Sequence, residues 1–198
     1  MFCTGALTLS TNAASTGQQQ SNQSSTPDWT RAMRIEPVLH SFAYCLGFLR
    51  QQVADVAPAD MVRQPNGIMN HPAWVIGHLT FTCQMLGGAV GVPAWLPADW
   101  ARRFGPGNVP VADVSLYEPK EDALAMLGDA ESRITHFIGR LDDSRLDEPF
   151  PDPSYLEVFP TIRHAITQVL VGHTAYHVGQ LPIWRKAIGL PRTQRSFE

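Results

Sequence analysis

The sequence predicts an all-α protein, an antiparallel four-helix bundle behind a disordered N-terminal tail. Two observations favour this fold: four segments repeat apolar residues at three- and four-residue steps, and no stretch alternates apolar and polar residues with a period of two. The chain has 198 residues and 44% of them are hydrophobic, which suits one domain with a sizeable core. We expect the tail at residues 1–30 and the bundle domain at residues 34–192.

The N-terminal tail is predicted from its composition. The first 27 residues carry no charge, and 18 of them are Ser, Thr, Asn, Gln or Gly. A secretory signal needs a basic start and a sustained apolar stretch, and this segment has neither. Because it offers little apolar surface to bury, we expect it to be disordered.

The first two helices are predicted ahead of a long connection. The first covers residues 34–56 and carries one apolar face, made of Leu39, Phe42, Leu46, Leu49, Val53 and Val56. The second begins near Asn70, a favourable helix cap, with Pro72 in the first turn, where a missing N–H costs little. It ends at the pair of glycines at positions 87 and 88.

Two further helices follow the connection. The connection, about residues 92–117, is rich in Pro, Gly and Trp, and since irregular segments of this length are often functional, we expect it to cover a pocket. The third helix begins at Pro119, and its apolar repeat runs to Leu141 opposite a charged face. The fourth helix is the longest, covers about residues 161–188, and ends before Gly189.

Charge and cysteine usage exclude several classes of function. The chain has 15 basic and 18 acidic residues, so we expect no basic surface that would bind nucleic acid. Its three cysteines form no C-x-x-C pair, which argues against a disulfide framework and favours a cytoplasmic protein.

The uncharged runs at residues 64–98 and 164–184 are long enough to span a membrane. Their Pro, Gly and polar residues favour buried bundle helices instead, so no membrane partner is expected.

Three histidines are the candidate site. His173 and His177 are four residues apart on the apolar seam of the fourth helix, so their side chains lie on one face. His78 lies midway along the second helix and is the natural third ligand of a divalent cation. His71, seven residues earlier, is too far away to share the ion, and we expect it to line the mouth of the site. From these residues alone, a metal site and a set of structural core histidines both remain open.

Two known metal motifs are excluded by the residues around the histidines. A zincin would need Glu where this chain has Thr174. A ferritin-like di-iron bundle needs Glu three residues before a ligand histidine, and none of the seven histidines has Glu or Asp there.

The motifs around these histidines resemble those of the DinB/YfiT-like superfamily of metalloenzymes. "NHPAWVIGHL" at residues 70–79 matches a G-H-L-type second helix, and "VGHTAYHVGQLPIWRKAIGLPR" at residues 171–192 matches an H-x-x-x-H-x-G-Q signature on the last helix. The resemblance covers roughly residues 34–192. It implies a four-helix bundle that binds one divalent ion, usually nickel or zinc, through the residues that match here: His78, His173 and His177.

The resemblance also implies a class of chemistry. Some members of the superfamily are thiol-dependent enzymes that act on small molecules, either transferases that attach a small cellular thiol to an electrophile or an isomerase of the maleylpyruvate type. Members are often homodimers. We therefore expect a metal-dependent S-transferase or isomerase with a low-molecular-weight thiol as co-substrate.

Two alternatives stay open. A metal-dependent hydrolase on the same site would normally need a carboxylate as general base, for which the connection offers Asp99 and Asp113. A helical stress or binding protein without catalytic activity would use the histidines only to fill its core.

Overall fold

Four long helical segments surround a shared apolar core in the computed structural model, which describes residues 34–193. The α-helices are α1 (Ile35–Val53), α2 (Pro72–Val90), α3 (Trp100–Phe104), α4 (Lys120–Ile138), α5 (Asp143–Leu146), α6 (Ile162–Thr167) and α7 (Thr174–Ala187). Short 3-10 helices occur at Pro58–Val62, Pro65–Gly67, Val114–Leu116 and Pro153–Tyr155. Within residues 34–193 there is no β-strand, only one isolated bridge between Pro149 and Thr161. The predicted all-α fold is confirmed.

Helix α1 has the single buried face that its sequence predicts. Its buried apolar residues are Val38, Phe42, Leu46, Leu49 and Val53, which follow one another at steps of three and four. The helix ends at Val53, three residues before the predicted end, and Val56 is buried just beyond it. This face packs chiefly against α7.

Helix α2 is buried on nearly all sides because α4, α3 and α7 pack around it. Its cap differs from the prediction: the capping residue is His71, whose Nδ1 accepts a hydrogen bond from the backbone N–H of Trp74 at 3.2 Å. The helix also continues through both glycines predicted to end it and stops at Gly91. That residue has a φ of 104°, a backbone conformation that glycine adopts without strain.

The last long helical segment is interrupted by a π-helix. Residues 162–187 run through α6, a π-helical segment at Gln168–His173, and α7. The hydroxyl of Thr174 donates to the carbonyl oxygen of Val169, five residues earlier, at 3.0 Å. The single helix predicted at about residues 161–188 therefore contains a wider turn that its apolar repeat does not indicate.

A buried arginine ties the end of this segment to the end of α1. The guanidinium of Arg185 on α7 donates to the carbonyl oxygens of Gln52 and Pro191 at 2.7 and 2.8 Å. It also pairs with the carboxylate of Asp55, at 2.9 Å between Nη2 and Oδ2. These contacts join the C-terminal end of α7 to the C-terminal end of α1 and to the residues that follow α7.

Within residues 34–193, no helix is both long enough and apolar enough to span a bilayer. The uncharged runs singled out in the sequence are thus accounted for by α2 and by the last helical segment, which face the core. The predicted tail at residues 1–30 lies outside the described residues.

Candidate metal centre

The imidazoles of His78, His173 and His177, here called the histidine triad, converge on one point. Nε2 of His173 lies 3.1 Å from Nε2 of His78 and 3.1 Å from Nε2 of His177. One nitrogen from each ring lies within 4.8 Å of the others. The rings come from α2, from the last residue of the π-helical segment and from α7, so the structure brings together the three residues that the sequence singled out.

The geometry and charge state of the triad suit a divalent cation. Zinc binds imidazole nitrogens at about 2.0–2.1 Å, so two nitrogens bound to one ion lie about 3 Å apart. Burial lowers the pKa of His78, and it lowers the pKa of His173 to about 4 and that of His177 to about 3. For the last two, the neighbouring imidazoles lower the pKa further. All three are therefore neutral at pH 7, the form in which histidine binds a metal.

His78 is held in one tautomer by the connection that follows α2. Its Nδ1 lies 2.6 Å from the carbonyl oxygen of Phe104 on α3. A carbonyl only accepts hydrogen bonds, so Nδ1 carries the proton and Nε2 directs its lone pair toward the other two rings. The indole of Trp74 stacks on the same imidazole, with ring centroids 4.5 Å apart and planes at 10°.

The other two rings are oriented mainly by helix geometry. Nδ1 of His173 and Nδ1 of His177 are buried and have no hydrogen-bond partner within residues 34–193. Their rings contact each other edge to face at 4.5 Å, and Tyr176 contacts His177 in the same way at 5.1 Å. The side chain of Gln180 raises the pKa of His177, against the larger effect of burial. Gln180 also accepts a hydrogen bond from Asn70, which the sequence predicted to cap α2.

The triad lines a cavity of about 970 Å³. Most of its other lining is apolar and includes Trp74, Met85, Phe150, Tyr155, Phe159 and Val169. The predicted cover, residues 92–117, contributes only Pro106 and Gly107. Most of the cover comes instead from residues 150–159, a segment before α6 that the sequence did not single out because it has no helical repeat.

Comparison with known families identifies the chain. A family model described as the DinB superfamily matches residues 42–181, from α1 to α7, and the match includes the whole triad. The chain belongs to the DinB superfamily. This superfamily is associated with metal binding. A search of curated proteins found no match to the chain.

The π-helical segment gives this DinB-superfamily protein a second polar group beside the triad. Gln168 and His173 both line the cavity, although residues five apart on an α-helix point about 140° away from each other. The wider π turn brings them to one side. The carboxamide of Gln168 lies against Gly172, where a Cβ atom would be 2.9 Å from Oε1. Sequence periodicity offers no signal for this residue.

Carboxylates are scarce around the triad. Among the described residues, Asp152 is the one acidic residue that lines the cavity; Asp99 and Asp113 do not. Oδ1 of Asp152 accepts hydrogen bonds from the backbone N–H and the hydroxyl of Ser154, at 2.9 and 2.7 Å. These hydrogen bonds lower the pKa of Asp152, which makes it a weak base at neutral pH.

The remaining histidines lie away from the cavity. His71, expected at its mouth, is fully buried, and its Nε2 contacts the carbonyl oxygen of Val111 at 3.2 Å. That expectation is wrong, because the residue caps α2 and its ring is enclosed by the connection. His40, His136 and His164 are exposed on the surface.

Proposed function

We propose that this DinB-superfamily protein is a metal-dependent enzyme that holds one divalent ion, nickel or zinc, on His78, His173 and His177. The observation that carries the proposal is the convergence of three neutral Nε2 atoms on the wall of a large cavity. Burying three imidazoles is costly unless their nitrogens are satisfied. A cation satisfies all three Nε2 atoms at once. Hydrogen bonds would leave one of the two Nε2 contacts unsatisfied, because both involve Nε2 of His173, which either donates one proton or accepts, while Nε2 of His78 can only accept.

We propose that the reaction is transfer of a small cellular thiol to an electrophilic small molecule. The alternative form of this proposal is an isomerisation in which the same thiol is the co-substrate. A divalent ion bound by three neutral imidazoles has coordination positions to spare and lowers the pKa of a thiol that binds there. In the transfer, sulfur forms a bond to an electrophilic carbon, the leaving group departs with its electron pair, and the thiol proton passes to solvent. The chain's own part is to orient His78 through Phe104 and to surround the sulfur with the apolar cavity wall.

The scarcity of carboxylates favours thiol chemistry over hydrolysis. A hydrolytic site normally uses a carboxylate base, and Asp152 is the one candidate that lines the cavity within the described residues. Its lowered pKa and its hydrogen bonds to Ser154 make it poorly suited to accept a proton. A thiol pathway needs no such base.

The size of the cavity favours an enzyme over a helical protein whose histidines only fill the core. Core histidines would be enclosed by side chains, whereas His173 is half-buried and shares the cavity with His78 and His177. A cavity of this volume is within the range of small-molecule sites.

Metal content tests the site. Protein purified without an affinity tag should carry about one divalent ion per chain by elemental analysis, and His173→Ala should carry none. His164→Ala is the matched control, since His164 is an exposed histidine on the same helical segment, and it should keep the ion. Retention of the ion by His173→Ala would overturn the site.

Thiol binding tests the chemistry. In a cobalt-substituted sample, titration with low-molecular-weight thiols should change the visible ligand-field spectrum, and His173→Ala should show no such change. An unchanged spectrum across physiological thiols would contradict the thiol pathway. Turnover of an activated ester without added thiol, lost in Asp152→Asn, would support the hydrolase instead.

A further inference from the structure

We propose that the electrophilic substrate of the triad carries a linear apolar chain of roughly eight carbons, which lies in a groove that leads away from the three imidazoles. This inference rests on the proposed function, because it names the substrate class of the same site. It is carried by three observations: the course of the two helical segments that line the cavity, the apolar side chains along them, and the exposed apolar side chains that surround it.

Two helical segments run antiparallel along the cavity. Trp74 of α2 contacts His177, with ring centroids 5.8 Å apart. His78, four residues later on α2, meets His173, four residues earlier on the other segment, at 3.1 Å between their Nε2 atoms. Residues that follow His78 on α2 therefore lie opposite residues that precede His173. The cavity lining agrees with this course: α2 contributes Thr82, Met85, Leu86 and Ala89, and the other segment contributes Ala165, Gln168 and Val169.

The cavity therefore extends well beyond the triad. Met85 and Ala89 are seven and eleven residues after His78, which at about 1.5 Å per residue places them about 10 and 16 Å further along α2. We call the part of the cavity between residues 82–89 and residues 165–169 the apolar groove. An extended carbon chain advances by about 1.3 Å for each bond of about 1.5 Å, so a chain of about eight carbons reaches from the triad to Met85.

The apolar groove offers a ligand chiefly hydrophobic contacts. Its apolar side chains are Met85, Leu86, Ala89, Ala165 and Val169. The hydroxyl of Thr82 is already used, since it donates to the carbonyl oxygen of His78 at 2.6 Å. Asp152 and Gln168 also line the cavity, but both side chains are exposed to solvent. The groove thus suits a chain without polar groups, whereas the triad suits a polar group.

The cover of the apolar groove presents apolar surface that the fold leaves unburied. Phe150, Tyr155 and Phe159 pack on one another, with ring centroids between 5.4 and 6.2 Å apart. Tyr155 and Val158 are nevertheless 41% and 63% exposed, and Met85 on α2 is 41% exposed. All five side chains line the same cavity. Exposed apolar surface gathered in a concave site is typical of sites for apolar ligands.

The triad and the apolar groove together define an amphiphilic substrate. Its polar end lies at the triad, where the ion of the proposed function would take a donor atom, and its chain follows the groove toward Met85. Burial of each methylene group contributes hydrophobic free energy in proportion to the area that it removes from water. The groove therefore selects substrates by the length of their chain.

A series of linear alkyl hydroxamates tests the inference. All members carry the same metal-binding head and differ only in a saturated chain of about two to twelve carbons. Binding to the protein as purified, measured by isothermal titration calorimetry, should tighten about threefold for each added methylene group up to roughly eight carbons. Affinity that stops rising before about six carbons would overturn the inference.

Variants that shorten the apolar groove locate the chain. Val169 is four residues before His173, and Val169→Trp adds a large ring about 5 to 6 Å from the triad, so affinity should rise only to about four carbons. Thr82→Phe, four residues after His78, makes the same test from α2 if Val169→Trp does not fold. Ala43→Trp is the matched control, since it adds the same ring at an exposed position of α1 outside the cavity lining, and it should leave the length limit unchanged. A folded groove variant with an unchanged limit would contradict the proposed position of the chain.

His173→Ala separates this inference from the proposed function. Without the ion, every hydroxamate should bind more weakly by one common factor of about tenfold or more, while the gain per methylene group stays about threefold. If this variant binds the whole series as tightly as the unmodified protein, the proposed function fails and the apolar chain stands. If affinity falls by a common factor but does not depend on chain length in either protein, the apolar chain fails and the metal site stands.

Discussion

Nδ1 of His78 donates a hydrogen bond to the carbonyl oxygen of Phe104 at 2.6 Å, and the ring of the same Phe104 packs onto α2 one residue earlier, at Gly77. A Cβ atom at Gly77 would lie 2.2 Å from the nearest atom of that ring. The absence of a side chain at position 77 therefore lets α3 approach α2 closely enough for its carbonyl to fix the orientation in which Nε2 of His78 faces the other two imidazoles.

Gly77→Ala should disturb both the fold and the site. The added methyl group forces the buried ring of Phe104 to move, at a cost of about 1–3 kcal/mol in the free energy of unfolding. It also displaces the carbonyl that orients His78, which should weaken metal affinity at least about tenfold. Urea denaturation and metal competition titrations measure the two effects.

A matched control is available on the same helix. Gly88 is exposed on α2, and beyond its own turn of helix backbone nothing lies within 4 Å of its Cβ position, so Gly88→Ala should stabilise the protein by up to about 1 kcal/mol. Metal affinity should not change. If Gly77→Ala behaves like Gly88→Ala, the contact with Phe104 does not position His78.

Replacing His173 and His177 together by Leu should remove the stabilisation that metal binding provides. Zinc at 100 times its Kd should stabilise the unmodified protein by about 2.7 kcal/mol and leave the double variant unchanged. Without metal, the variant should be at least as stable as the unmodified protein, since it buries apolar groups in place of imidazoles. Thermal melts with and without zinc measure both. A metal-free variant less stable by several kcal/mol would indicate that the imidazoles stabilise the core themselves.

His71 should make stability depend on pH. Burial lowers the pKa of His71 to about 4 from an ordinary value of 6.5. The folded state therefore disfavours the proton, so the contribution to stability is complete above pH 6.5 and is lost as pH falls toward 4. At pH 4 the loss reaches about 3 kcal/mol.

His71→Asn tests this pH dependence. Asn keeps a side-chain oxygen that can cap α2 but has no titration in this range. At pH 7 the variant should be less stable by about 1–2 kcal/mol, because the contact with Val111 is lost. Between pH 6.5 and 4, urea denaturation should show a shallower loss of stability than in the unmodified protein. A parallel loss in both proteins would assign the pH dependence to other groups.

Arg185→Met should destabilise the fold by about 3 kcal/mol, because it leaves the carbonyl oxygens of Gln52 and Pro191 without their buried donor. Asp55→Asn should cost at most about 1 kcal/mol, since that carboxylate is 52% exposed and Asn still offers an oxygen. Chemical denaturation measures both. Equal losses in the two variants would mean that the ion pair, and not the carbonyl contacts, holds the chain end.

The helical segments were predictable because their signals are local. The apolar repeat of α1 and the charged outer face of α4 each reflect a periodicity that any helix of that sequence would show, and α4 begins within one residue of the predicted Pro119. The positions of His78, His173 and His177 within their helices were equally predictable. The four-residue spacing of His173 and His177 placed two imidazoles on one helix face, and His78 was predicted on a second helix that is similarly apolar.

Helix ends and special turns were less predictable. The cap of α2 was expected at Asn70, yet His71 takes that role because the connection encloses its ring and supplies the carbonyl of Val111. The π-helical turn at Gln168–His173 was not expected at all, since no repeat in its own sequence distinguishes it from an α-helix.

The amino-acid sequence by itself determined which segments are helical and that His173 and His177 lie on one helix face, since both follow from residues within a few turns of one another. The tertiary structure brought His78 of α2, 95 residues before His173, to the same point. Only the tertiary structure decided the shape and chemistry of the cavity. Its walls come from α2, from residues 150–159 and from the π-helical turn, and side chains so far apart in the chain meet only when the helices pack. The local sequence therefore gives no signal that Phe150, Tyr155, Phe159 and Gln168 line this cavity.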